Sequence, residues 1–186
     1  MDKDVSAGSG ITTVVGRLAL GITLLAFGLG HTAVIDGVSA ADTVSIAQYV
    51  GGITLFVAGL VALRGGDSVG GTAFSVLGAL WFTWAVSGEV SANAAGLFLL
   101  LFALVALSLT LAGGDQLGQG VYGLFFVSLL LLAIAVFAEN DGLAKAGGWF
   151  AVAAGAVAWY AATAALAHWP TALPRRAAGR GVTATG

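Results

Sequence analysis

Residues 64–84 read RGGDSVGGTAFSVLGALWFTW, a glycine–acid opening followed by an almost wholly apolar run. The opening returns 48 residues on, as GGDQLGQGVYGLFFVSLL from Gly113. Asp67 then matches Asp115, Gly70 matches Gly118 and Phe74 matches Tyr122. A helix needs about 20 apolar residues to cross a bilayer, so each copy reads as a turn feeding a membrane span. Glycine suits the end of one helix and aspartate the N-cap of the next.

The rest of the chain has the same character. Of 186 residues, 59% are hydrophobic and 9% charged, against roughly 25% charged in a soluble domain. So few charges cannot clothe a globule of this size in water, and the solvent for most of the chain is lipid. The 29 glycines come with two prolines and no collagen period, a composition suited to closely packed membrane helices. There is no cysteine, hence no disulfide or thiol chemistry, and a net charge of -2 gives no reason to expect a nucleic-acid partner.

Reading between the charges gives six spans, about 11–35, 44–63, 69–88, 92–112, 117–138 and 146–169. Residues 1–10 precede them, and the tail 170–186 is expected to be disordered. The short connections favour antiparallel neighbours, and runs this long are not barrel strands. The expectation is one all-α integral membrane domain. VSA at residues 38–40 resembles a signal-peptidase site, but the apolar region before it is too long and its leader not clearly basic.

With six spans, both termini share a side with the turns at 64–68 and 113–116. That side carries Lys3, Arg17, Arg64, Arg175, Arg176 and Arg180, and the other only Lys145. The positive-inside rule then places both termini in the cytoplasm. The expected location is the plasma membrane, here a bacterial inner membrane.

No HExxH, GxSxG or cysteine motif is present, and His31 and His168 lie at opposite membrane faces. No enzyme, metal site or cofactor is expected. GQGVYG at 118–123 matches a dinucleotide fingerprint only in letters, because it follows a helix and opens a membrane span. Arg17 is the single charge inside a span; it either snorkels to lipid phosphate or attracts anions at a pore mouth. No carboxylate sits at mid-membrane to serve as a proton relay. What remains is neutral polarity, each hydroxyl more often bonding its own helix than doing anything else. Thr23, Ser75 and Ser128 nevertheless fall on spans one, three and five, as do Leu20, Phe74 and Leu77. If odd spans surround an axis, these residues form a narrow, mostly apolar pore with hydroxyl steps. Small-residue stripes, Gly52 and Gly59 on span two and Gly148 and Gly155 on span six, mark close packing within or between subunits.

GGDSVGGTAFSVLGALWF resembles the GNTFGxTAFxxYGxFW signature of the acetate uptake transporter family, also called the succinate–acetate permease family. AQYVGGITLFVAGL, FFVSLLLLAIAVFA and AGGWFAVAAGAVAWYAATAALAHWPTALP are similar to its second, fifth and last spans, so the likeness runs over about residues 15–174. The resemblance implies a hexameric ring of six-span subunits, each with its own pore for acetate and related carboxylates. It implies a central constriction that, in an ungapped comparison, falls at Leu20, Leu77 and Ser128. Spacing together with the resemblance then puts Thr72, Phe74, Ser75 and Tyr122 against the substrate, and the charge reading puts Arg17 at the pore mouth. The chain departs from the family where NPAPLGL is replaced by TTVVGRLALG and the constriction aromatics by leucines. Two alternatives stay open: a channel for urea, an amide or another small neutral solute, and a structural or regulatory subunit that transports nothing.

Overall fold

The computed structural model of the chain describes the backbone of residues 2–88 and 90–169 and the side chains from Gly10 onward. The expected disordered tail, with its three arginines, lies outside the described residues. The first helix, α1, runs over Asp2–Thr32. The second span is composite: a 3-10 turn at Ala40–Thr43, one α turn, α2, at Val44–Ile46, a π-helix at Ala47–Thr54, then α3 at Leu55–Arg64. The others are simple: α4 Ser68–Val86, α5 Ala92–Leu111, α6 Gln116–Phe137 and α7 Asp141–Leu166. Among the described residues six helical segments are thus long and apolar enough to cross a membrane, the last beginning at Asp141 rather than near residue 146.

The two glycine–acid openings are turns with caps. Gly66 and Gly113 sit at φ 87° and 85°, where a side chain would strain the backbone. The Asp67 carboxylate accepts a hydrogen bond of 2.8 Å from the Gly70 N–H, and Asp115 accepts one of 3.0 Å from Gly118. Each satisfies an amide that the new helix leaves open, worth about 1 kcal/mol per cap. Ser91 and Asn140 cap α5 and α7 in the same way.

The most extensive helix packing joins the first span to the last. A Cβ on Gly21 would lie 2.9 Å from the Trp159 amide nitrogen, and one on Gly155 2.7 Å from that of Leu25. Seven residues further along each helix, Gly28 and Gly148 face each other's carbonyl oxygens at 2.7 and 2.9 Å by the same construction. Two glycine pairs therefore seat α1 and α7 backbone to backbone, and the stripe of span six is a contact within the subunit. The stripe of span two is likewise internal: Gly52 and Gly59 meet Phe82 and Ser75 of α4.

From this seam the order of helices follows. α7 packs against both α1 and α6, α5 covers α6, and the π-helix with α3 fills the space between α1 and α4. Spans one, three and five (α1, α4 and α6) are thereby held around one axis and meet there through side chains. Large apolar side chains such as Leu101, Leu104 and Val57 stand on the outside, as a lipid solvent demands.

Gly155→Val should open the α1–α7 seam. The clash is with backbone, which cannot swing aside, so a loss of about 1–3 kcal/mol is expected. A lowered midpoint of thermal unfolding in detergent, with Gly120→Val as a control in open space, measures it.

Candidate conduction pathway

One cavity opens on the axis between α1, α4 and α6, and a second lies at the opposite end of the bundle among α1, α5, α6 and α7. At the end bearing the 64–68 and 113–116 turns, a cavity of about 150 Å³ is lined by Arg17, Leu20, Asp67, Phe74, Asp115 and Tyr122, among others. At the far end, one of about 370 Å³ is bordered by His31, Leu99, Leu132, Glu139 and Asn140. Between them lie fully buried Leu20, Leu24, Leu77, Trp81, Phe125 and Leu129.

Trp81 is the centre of this barrier. Its ring stacks on Phe125 of α6 at 5.6 Å, and meets Phe27 of α1 edge-on at 5.1 Å. Trp84 closes over the same group, 5.4 Å from Phe27. Such aromatic pairs add about 0.5–1.5 kcal/mol each beyond their buried area. The π-helix makes room for them. Its wide turn, in which the Thr54 hydroxyl donates to the Tyr49 carbonyl at 3.0 Å, places Gly51 against Trp81 and Thr23. A Cβ there would sit 2.9 Å from Trp81 Cγ and 2.6 Å from Thr23 Cγ2. Short π segments recur at functional sites, and here one admits an indole.

The expected site residues divide. Arg17, Leu20, Phe74 and Tyr122 are brought together in the first cavity, where the Phe74 ring also covers Gly16 of α1. Leu77 lies deeper, fully buried in the barrier, and Ser128 is buried on α6, one turn from Phe125. Ser75 faces α3 at the Gly59 contact, and Thr72 is exposed; neither lines either cavity. Most remaining hydroxyls bond their own helix: Thr23 to Ala19, Thr83 to Ala79, Ser108 to Leu104 and Thr110 to Ala106. Arg17 does not stand alone, since its guanidinium forms a salt bridge with Asp115 across the cavity.

Sequence reading missed Trp81, Phe125 and Phe27. The signal was present, because Trp81 follows Leu77 by one helical turn and shares its face. Trp81 Nε1 and the Oγ atoms of Ser75 and Ser128 are buried with no hydrogen-bond partner among the described residues. An orphaned buried donor is costly, and Trp81 N–H and Ser128 O–H are two such groups beside the axis.

The chain matches the GPR1/FUN34/YaaH family over residues 9–172, and it belongs to that family. It is 28% identical over 171 residues to the glyoxylate pathway regulator of Yarrowia lipolytica, covering 83% of this chain and 63% of that protein. To ammonia transport outward protein 2 of Saccharomyces cerevisiae it is 30% identical over 141 residues, covering 67% of this chain and 50% of that one. The chain thus spans about half to two thirds of these fungal relatives. To the succinate-acetate/proton symporter SatP of Escherichia coli it is 29% identical over 162 residues, covering 80% of this chain and 84% of that protein. The solved structure of the bacterial acetate channel SatP superposes with a TM-score of 0.77 at 24% identity, covering 84% of this chain and 92% of that one. The fold is shared, and the chain is a multi-pass membrane protein.

Ser128→Ala removes a buried hydroxyl that has no partner. Its thermal midpoint in detergent should equal or exceed that of the unaltered protein, by up to about 1 kcal/mol in stability. A clear fall would mean that the hydroxyl is bonded in the folded protein.

Proposed function

From that membership we propose that the chain moves a small monocarboxylate such as acetate through a pore along the axis of α1, α4 and α6. It is a transporter or channel and not an enzyme. The observation that carries the reading is the cavity lined by α1, α4 and α6, which ends on a buried aromatic and leucine barrier along their axis. Relatives named for acetate transport, one of them sharing the fold, supply the substrate class. In this reading Leu20 and Leu77 narrow the entrance from the first cavity and Trp81 with Phe125 forms the tightest part. Ser128 and the Trp81 indole offer hydrogen bonds to a carboxylate that has shed part of its water. Phe74 and Tyr122 wall the first cavity, with Arg17 at its mouth. Ser75 and Thr72 drop out of the substrate path.

Both termini, with the first cavity, face the cytoplasm by the distribution of lysine and arginine. The ring of six subunits rests on the family resemblance, and each subunit carries its own axis.

A small uncharged solute is the second reading. It is favoured by the Arg17–Asp115 pair, which leaves the mouth without net charge from those two groups, and by a yeast relative named for ammonia transport.

Proteoliposomes holding the purified protein, followed by stopped-flow light scattering, separate the readings. Acetate should enter faster than into empty liposomes, and faster than urea; entry of urea alone would move the protein to neutral solutes. Trp81→Ala, which removes the barrier's central ring, should raise acetate flux by about tenfold, the effect of lowering a barrier by ~1.4 kcal/mol. Unchanged flux in both Trp81→Ala and Leu77→Ala would place the barrier elsewhere.

A further inference from the structure

We propose that Asp115 is a built-in competitor for the transported anion: it occupies Arg17, and a small carboxylate enters the first cavity by taking its place on the guanidinium. The proposal rests on the carboxylate reading of that cavity and adds a residue that sets its affinity.

The geometry gives the two oxygens of Asp115 separate tasks. Oδ2 accepts the Gly118 amide that begins α6, while Oδ1 accepts from Arg17 Nη2. The cap holds the carboxylate in place whether or not Arg17 is bound, so losing the guanidinium leaves the helix start intact. Arg17 comes from α1, 98 residues away in sequence, and the pair therefore ties two axis-lining helices across the cavity mouth. Its side chains are 24% and 50% exposed. An ion pair this wet is weak enough to open on its own.

A free carboxylate presents the guanidinium with the same planar pair of acceptors as Asp115. Exchange swaps like for like and leaves the ion-pair count unchanged. A neutral amide has no charge to offer, so it does not compete. The cavity is large enough for a ligand of a few heavy atoms beside the pair. In this way the mouth admits a carboxylate in preference to a neutral solute, while the barrier beyond it selects by size.

The internal repeat provides a matched control. Asp67 caps α4 through the Gly70 amide and lines the same cavity, yet among the described residues Arg17 pairs with Asp115 and not with Asp67. Asp67→Asn and Asp115→Asn remove the same charge from the same cavity and keep a capping side chain, but only the second releases Arg17.

The test is calorimetric titration of the purified full chain in detergent with sodium acetate. If the pair is closed in about four molecules of five, apparent affinity is about fivefold below its intrinsic value. Asp115→Asn should therefore bind acetate about fivefold more tightly than the unaltered protein, and Asp115→Ser, another capping residue, should do the same. Asp67→Asn should gain far less, and Arg17→Gln with Asp115→Asn should lose the gain. Equal affinity in Asp115→Asn and the unaltered protein, a matching gain in Asp67→Asn, or a gain that survives the loss of Arg17 would each overturn the proposal. Acetate flux in proteoliposomes is scored apart from this. A protein that binds acetate as described but does not pass it would sink the transport reading and leave the competitor standing. Normal flux with no gain in Asp115→Asn would do the reverse.

Discussion

The seam between the first and last spans is the constraint on which the arrangement depends. In lipid no hydrophobic effect drives apolar helices together, and contact energy must come from fit. Gly21 with Gly155 and Gly28 with Gly148 supply that fit by letting two backbones touch. Because α7 also packs against α6, the seam fixes α6 relative to α1. The facing positions of Arg17 and Asp115 follow from it, while the π-helix and α3 place Trp81 of α4 against Phe27.

The barrier and the cavity mouth use different physics. Trp81, Phe125 and Leu77 are buried completely, and they oppose a solute by dewetting and by bulk. Arg17 and Asp115 are partly wet, so they act on charge at a point where water still screens. On the proposed pathway a solute would meet electrostatic selection while it is hydrated and steric selection afterwards. The unpartnered donors at Trp81 and Ser128 lie where a dehydrated acceptor has most to gain.

Much of this was legible in the sequence. Six apolar runs gave six spans, and the repeated GGD openings gave two turns with aspartate caps. Glycine stripes at spacings of seven announced close seams, though not between which helices. The composite second span was not legible, because GG within an apolar run does not distinguish a π-helix from an ordinary α-helix. Nor was the Arg17–Asp115 bridge, which joins residues far apart in the chain. Thr72 shows the limit of motif transfer: it opens the TAF stretch of the family signature and yet points outward. Leucines stand where the family has constriction aromatics, and Trp81, one turn further, supplies a ring that the motif comparison did not mark.

The π-helix bears on more than the space it leaves for an indole. Each residue of an α-helix advances about 100° around its axis, and a turn that takes up one extra residue shifts everything after it by about that amount. In the second span the residues on both sides of the shift nevertheless meet the same neighbour: Gly51 and Gly52 meet Trp81 and Phe82, and Gly59 meets Ser75, all of α4. The π turn thus acts as a register adjustment that keeps the rod's small residues on α4 from Gly51 to Gly59.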